Sequence, residues 1–274
     1  MASTKDNKPV RTLQQNNIFE GHDSVVLSTD VDLEGTMLAT TSLDCKIRIF
    51  DLRTAKLICS ATSQVGPYSC VKFSPDGNYF ISSSRSGDVH VFDVKTGKML
   101  KTYGTVSEKK RHSYSMSVAY SPNGKLVASG HVSGVVSVIS TDSGEIVRTF
   151  QNHRMAVRTL TFSHDSKCLI AGSDDKYAHV YDLEKNKLIH ECTGHRDGIF
   201  SIDIHPKMNQ VFASGSSDKQ IKIWDLTKQQ REMCVLAVQT SVEKIRDIKW
   251  SPFGDQIAVV GESSVVEVYN IQLN

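Results

Sequence analysis

A histidine, a serine and an aspartate, the residue types that share a proton in hydrolytic triads, stand close together at His195, Ser216 and Asp218. The same types return as His22, Ser42 and Asp44, and again as His153, Ser173 and Asp175. A catalytic site would not recur in this way. The set reads instead as a buried hydrogen-bond network that pins each repeat unit, with Trp224 as outer member of the best copy. Such a network is tolerated only when its groups find partners. No Gly-x-Ser-x-Gly elbow marks a nucleophile, and no Gly-x-Gly-x-x-Gly or Gly-Lys-Ser/Thr run marks a phosphate loop. Asp and Glu are scattered over turns rather than paired. His112, His131, His164, His179, His190 and His205 lack zinc-ligand spacing and are expected to be solvated or locally bonded. Cys45, Cys59, Cys70, Cys168, Cys192 and Cys234 form no Cys-x-x-Cys pair. Most sit in apolar strand patterns, where a thiol behaves as a small buried hydrophobe, and that usage suits the cytosol or nucleus. The expectation is a chain with no catalytic residue, no metal and no cofactor.

The elements that position these residues must come from an ordinary globular chain. It has 274 residues, a formal net charge of +2, 39% hydrophobic and 23% charged residues. That length suits one large all-β domain or two small ones, and the charge balance does not point to nucleic acid. No apolar run approaches the roughly 20 residues of a membrane span. Met1 to Val10 is polar, so residues 1–9 read as a flexible tail and residues 10–274 as one domain. Ser107 to His112 is a short basic run, read as a solvated inter-blade loop, with an RNA or acidic-peptide contact as the alternative.

A repeat organises that domain. Segments ending in an apolar residue and a small polar one are Ser42–Asp51, Ser84–Asp93, His131–Ser140, Ser173–Asp182, Ser216–Asp225 and Gly261–Asn270. Their turn positions are Asp44, Ser86, Ser133, Asp175, Asp218 and Ser263, at steps of 42, 47, 42, 43 and 45 residues. A period near 40–45 residues with four strands per unit is that of a propeller blade. Helical repeats of similar length are excluded by alternation at period two, as in Lys46-Ile47-Arg48-Ile49, and by frequent Gly, Pro, Asn and Asp. Ser74-Pro75-Asp76-Gly77 and Ser121-Pro122-Asn123-Gly124 are matched corners between first and second strands. The last unit stops after its third strand near Asn270, and Val10 to Phe19 is predicted to supply the fourth, closing the ring and removing two sheet edges.

These residues resemble the WD-repeat (WD40) family, whose pattern is Gly-His, then Ser or Thr two residues before a turn Asp, then Trp-Asp. Gly21-His22 with Ser42, Asp44 and Phe50-Asp51 matches it, as does Asn152-His153 with Ser173, Asp175 and Tyr181-Asp182. The best match is Gly194-His195 with Ser216, Asp218 and Trp224-Asp225, while Gln64, Arg111 and Ser241 replace the histidine elsewhere. The pattern covers nearly the whole chain. Met116 to Leu226 is similar to the WD-repeat subunits of superkiller (Ski) complexes, whose metazoan members also resemble a subunit of the RNA-polymerase-associated factor complex. Members of that group have seven blades. Six repeats here leave two readings open, a ring closed by six blades or a shortened seven-bladed form.

The resemblance implies a monomeric propeller that acts as a non-catalytic scaffold inside a hetero-complex, binding a helicase and a repeat-rich scaffold subunit. Its settings would be cytoplasmic mRNA decay by the exosome and, in the nucleus, transcription elongation and histone modification. No direct nucleic-acid binding and no membrane contact are expected. A substrate receptor or adaptor, for example for a ubiquitin ligase, is the alternative. In the family, the residue five after the histidine position faces the central opening, which gives Leu27, Ser69, Met116, Arg158, Phe200 and Arg246. The residue before the turn position faces the same surface, which gives Leu43, Arg85, Val132, Asp174, Ser217 and Glu262. Aromatic, Met and Arg side chains on one rim suit peptide capture, with Phe200 as anchor. The bland alternative is that the apolar members only plug the channel mouth.

Overall fold

The computed structural model describes residues 18–63, 66–105, 113–229 and 232–273. Short segments with apolar side chains on both faces, cut by polar corners, fold into antiparallel sheets in which each strand pairs with its neighbour in sequence. The first blade is β1 (Val26–Val31), β2 (Met37–Ser42), β3 (Lys46–Asp51) and β4 (Leu57–Thr62). The second is β5 (Val71–Phe73), β6 (Tyr79–Ser83), β7 (Val89–Asp93) and β8 (Met99–Tyr103). The third is β9 (Ser115–Tyr120), β10 (Leu126–His131), β11 (Val136–Ser140) and β12 (Ile146–Phe150). The fourth is β13 (Val157–Phe162), β14 (Cys168–Ser173), β15 (Ala178–Asp182) and β16 (Lys187–Cys192). The fifth is β17 (Ile199–Ile204), β18 (Val211–Ser216), β19 (Gln220–Asp225) and β20 (Cys234–Gln239). The sixth has three described strands, β21 (Ile245–Trp250), β22 (Gln256–Gly261) and β23 (Glu267–Asn270). The all-β, six-bladed propeller predicted from the repeat is the observed architecture.

The turn position explains how each blade folds locally. The residue after it is left-handed in five blades, at Cys45, Gly87, Gly134, Lys176 and Lys219. Where the turn residue is Asp, its carboxylate accepts the N–H two residues on: Lys46 N donates to Asp44, Tyr177 N to Asp175 and Gln220 N to Asp218. That contact offsets the cost of a left-handed L-residue. Where the turn residue is Ser86 or Ser133, the next residue is glycine, which bears no such cost.

Blades are joined by cores that each span two neighbours. Phe50's sheet contributes Ile47 and Ile49 against Val71, Phe80 and Phe92 of the second blade. Ile81 and Val91 meet Val118, Val127 and Ile139. Val136, Val138 and Phe150 meet Leu160, Leu169 and Tyr181. Ile170 and Val180 meet Ile199, Phe212 and Trp224, and Ile221 and Ile223 meet Ile245, Ile248 and Tyr269. Hydrogen bonds cross the same interfaces near the axis. Asp30 accepts Lys72 Nζ at 2.7 Å and Phe73 N at 2.9 Å. Asp203 repeats this with Lys249 Nζ at 2.7 Å and Trp250 N at 2.9 Å.

Among the described residues no such core joins the sixth blade to the first. Val26 and Val31 of β1 are 45% and 47% exposed, and Val266 beside β23 is 44% exposed, whereas Ile199, Ile204 and Ile221 at the matching positions of the fifth blade are buried. The predicted closing strand, Val10 to Phe19, lies outside the described residues except for Ile18 and Phe19. Phe19 places its ring edge-on to Phe50, centroids 5.5 Å apart, and so covers part of the first blade's free face.

Close approach between blades is written into one register position. A Cβ on Gly172 would lie 2.8 Å from Ile199 Cγ2, and one on Gly215 would lie 2.7 Å from Ile245 Cγ2. In the sixth blade that position, opposite the bulge on the inner strand, is Val260. Gly215→Ala is therefore expected to cost about 1–3 kcal/mol in denaturant unfolding. Val260→Ala should cost under about 1 kcal/mol, as at sites without tight packing. Equal losses would mean that the sixth blade is packed as tightly as the fifth.

Candidate functional site

In the first, fourth and fifth blades the repeated His and Asp residues pair by hydrogen bonds at the end where β2-type strands turn into β3-type strands. In the fifth blade His195 Nδ1 donates to Asp218 Oδ2 at 2.9 Å. Ser214 Oγ lies 2.7 Å from His195 Nε2 and accepts from Trp224 Nε1 at 2.8 Å. In the first blade His22 pairs with Asp44 at 2.8 Å and with Thr40 Oγ1 at 2.7 Å. The hydroxyl that meets the histidine is therefore two residues earlier than the sequence pattern proposed. Ser216 and Ser42 play another part: Ser216 Oγ donates to the Asp197 carbonyl and accepts the Asp218 N–H, and Ser42 does the same for Ser24 and Asp44. Ser173 binds Met155 O and Asp175 N in the fourth blade. Sequence reading missed Ser214 and Thr40. The signal was there, because residues two apart on a strand share a face.

Ser214, His195 and Asp218 have the hydrogen-bond order of a triad, yet the Ser214 hydroxyl is fully buried and held by Trp224. A substrate carbonyl could not reach it. The carboxylates are locked as anions. Burial alone would raise the Asp218 pKa, but His195 and the Arg196 N–H outweigh it and lower it to about 2. Asp175 is lowered to about 2 against the same burial by His153 and neighbouring N–H groups. Asp44, with Arg48 and His22 beside it, is held well below the usual carboxylate range despite its burial.

The fourth blade departs from the pattern. Ala171 replaces the hydroxyl residue, and buried His153 Nε2 has no hydrogen-bond partner among the described residues. His179 stacks on His153 instead, with ring centroids 4.0 Å apart. Burial, and then the His153 ring, push the His179 pKa down to about 4. His131, His179 and His205 are all buried and bonded locally rather than solvated. Gln64, Arg111, His112 and the Ser107 to His112 run lie outside the described residues. In the sixth blade Ser241 takes the histidine position and donates to buried Glu267, which also accepts from Tyr269. All six cysteines are free thiols, and burial pushes Cys59 up to about 11 and Cys192 up to about 12. No three His, Cys, Asp or Glu side chains converge on a metal-sized site among the described residues.

The rim residues converge at the mouth of the central channel. Leu27, Met116, Arg158, Phe200 and Arg246 are each the extra residue of a β-bulge on an inner strand, skipped by the pairing on both sides. A bulge turns a side chain out of the sheet's alternation, and here it turns five into one opening. With Ser69 they line a channel of about 610 Å³. Phe200 sits beneath two guanidiniums, Arg246 Cζ at 4.5 Å and Arg158 Cζ at 5.3 Å from its centroid. Each arginine is steered by a carboxylate. Asp174 takes Arg158 Nε at 2.9 Å and Nη2 at 2.7 Å, and Glu262 takes Arg246. Arg85 is not a channel-lining residue and lies over the Tyr114 ring at 5.2 Å, while Leu43 is 48% exposed beside the turn. The result is an aromatic ring capped by two carboxylate-paired guanidiniums, with Leu27 and Met116 at the same opening.

Comparison with known proteins follows the same outline. The WD40 family model (WD domain, G-beta repeat) matches residues 8–51, 56–93, 104–140, 144–182 and 186–225. WD repeat-containing protein SL1-17 of Schistosoma mansoni is 29% identical over 251 residues, covering 92% of this chain and 80% of that protein. The periodic tryptophan protein 2 homolog of Caenorhabditis elegans is 26% identical over 91% of this chain, which spans only 22% of its length. Protein transport protein sec13 of Emericella nidulans is 23% identical, with 85% of this chain and 71% of that protein covered. Among solved structures, the β-propeller domain of Cps50 (Swd1) from Myceliophteria thermophila superposes with a TM-score of 0.81 at 15% identity, over 93% of this chain and 85% of that one. This last likeness concerns the fold.

Two outcomes test the networks. Ser214→Ala strands both His195 Nε2 and Trp224 Nε1 and should cost about 2 kcal/mol or more, whereas Ala171→Ser should gain about 1 kcal/mol by giving His153 Nε2 a donor, both read from chemical unfolding. His179 must stay neutral in the fold, so stability present above pH 6.5 is lost as the pH falls from 6.5 towards 4. His179→Gln should make the fall of melting temperature across that window shallower. It should not abolish the fall, because burial lowers His90, His131, His190 and His205 in the same direction. An unchanged slope would exclude His179 as a contributor.

Proposed function

Because the chain belongs to the WD40 repeat (WD domain, G-beta repeat) family, we propose that it is a non-catalytic scaffold that grips a segment of a partner protein at the channel mouth, with Phe200 as the anchor. The observation that carries this reading is the ring of bulge residues. Five blades spend their irregular position on placing Leu27, Met116, Arg158, Phe200 and Arg246 in one opening. Hot spots of protein interfaces favour aromatic and Arg side chains set in an apolar surround, and this platform has that composition. The Asp174 and Glu262 carboxylates hold the guanidiniums over the ring before a partner arrives, which lowers the entropy lost on binding.

The finer reading rests on the resemblance of Met116 to Leu226 to superkiller-complex subunits. On that reading the partners are the helicase and repeat-rich scaffold of the superkiller complex in the cytoplasm, and the RNA-polymerase-associated factor complex in the nucleus. Affinity purification of the full chain followed by mass spectrometry tests both levels. Phe200→Ala should reduce recovery of the partner subunits about tenfold or more, the scale of a hot-spot loss, with no drop in melting temperature. Undiminished recovery would remove the channel mouth as the binding site. Recovery of ubiquitin-ligase subunits in place of the two complexes would replace the finer reading with a substrate-receptor role.

A further inference from the structure

The first, fourth and fifth blades each hold the next blade by a clasp near the axis. A hydroxyl on the inner strand accepts an N–H of the following inner strand: Ser201 Oγ takes Ile248 N and Thr159 Oγ1 takes Ile202 N, both at 3.2 Å. In the first and fifth blades an aspartate two residues later repeats the contact. Asp203 accepts Trp250 N and Asp30 accepts Phe73 N, both at 2.9 Å. Apolar side chains close behind the clasp, as Ile221 and Ile223 do against Ile245 and Ile248.

Strand register puts one half of this clasp on each side of the seam between the sixth and first blades. Asp247 stands in the sixth blade where Ser201 stands in the fifth and Thr159 in the fourth. Its Oδ1 is taken by Ser201 Oγ and Ile248 N, while Oδ2 has no partner among the described residues. Across the seam, Thr29 and Val31 stand where Ile248 and Trp250 stand in the sixth blade. Asp32 N donates to Met37 O, so alternation turns the Thr29 and Val31 N–H groups away from β2, and no acceptor meets them among the described residues. The apolar positions match as well. Val266 and Val268 repeat Ile221 and Ile223, and Val26 and Val31 repeat Ile245 and Trp250. Val26, Thr29, Asp247 and Val260 line the same cavity as Phe200, so the seam opens into the channel.

We propose that a partner protein inserts an antiparallel β-sheet element between the sixth and first blades. The two walls state its chemistry. Towards the sixth blade its inner strand offers an N–H to Asp247 Oδ2 and apolar side chains to Val260 and Val266. Towards the first blade the same strand carries Ser or Thr two residues before Asp, the pair formed by Ser28 and Asp30 and again by Ser201 and Asp203, to accept the Thr29 and Val31 N–H groups. Unpaired backbone donors at an apolar wall are costly, and a strand of this kind satisfies them where a loose apolar segment does not. A fourth strand added to β23 leaves the clasp unmade, because it lies at the outer edge of the sheet while Asp247 is on the inner strand.

The test uses the full chain carrying Val266→Cys and reads maleimide labelling at that residue by mass spectrometry. Fast labelling is expected; protection would mean that the chain or a second copy already fills the seam, and would overturn the proposal. The probe for the socket is a second copy of the fifth blade, residues 194–239, joined to the C-terminus of the full chain by a glycine–serine linker, because that blade carries both walls and the Ser201 and Asp203 pair. It should slow labelling about tenfold or more and raise the melting temperature by about 5 °C or more. Ser201→Ala with Asp203→Ala in the added blade alone should remove about half of that rise, whereas Phe200→Ala in the main chain should leave it intact, which separates this site from the channel mouth. Unchanged labelling and melting temperature in the fused chain, or a full rise with the doubly substituted blade, would also overturn the proposal.

Discussion

A four-stranded sheet with apolar side chains on both faces cannot stand in water alone; it needs a neighbour on each side. Everything else in this chain answers that constraint. Ile221 and Ile223 cover one face of the sixth blade while Ile170 and Val180 are covered by the fifth, and so on around the ring. Because apolar burial is non-directional, it sets the order of stacking but not the height or angle at which sheets meet. Those are set by directional contacts near the axis, where Asp30 and Asp203 each clasp the backbone of the following blade. Glycines at the second strand let the next inner strand approach to within contact.

The same constraint explains the buried polar chains. Turning a strand at the edge of a closely packed sheet leaves N–H and carbonyl groups with little access to water. The turn aspartate accepts N–H groups from the turn and from the incoming loop, and a histidine of that loop donates to the same carboxylate and fixes the loop. Its far nitrogen then needs a partner of its own. Thr40 and Ser214 provide it in two blades, whereas in the fourth Ala171 cannot and a second histidine is stacked there instead. That substitution places a titratable ring in the interior, with its charge suppressed by burial.

Openings arise where the stacking rule is relaxed. The inner-strand bulges break pairing and turn Phe200 and its neighbours into the channel mouth, where two arginines steered by Asp174 and Glu262 lie over the ring. The interface between the second and third blades has Ile139 where the next two have Tyr181 and Trp224, and opens as a groove. The seam between the sixth and first blades leaves valines on both sides in solvent.

The sequence by itself determined six repeat units, their strands and their turns, because these depend on contacts within about 45 residues. The family resemblance supplied the rim positions, and its fixed offset from the histidine position lands on a bulge in five of the six blades. Tertiary structure alone decided which hydroxyl meets each histidine. Ser214 and Ser216 lie on one face of one strand, and only the height of the incoming loop selects between them. It also decided that Arg158 and Arg246 share a single ring, and that Ile139 and Thr141 leave a groove. Those outcomes depend on distances between separate sheets, and a linear pattern of apolar and polar residues records which way a side chain points but not how far away its neighbour will be.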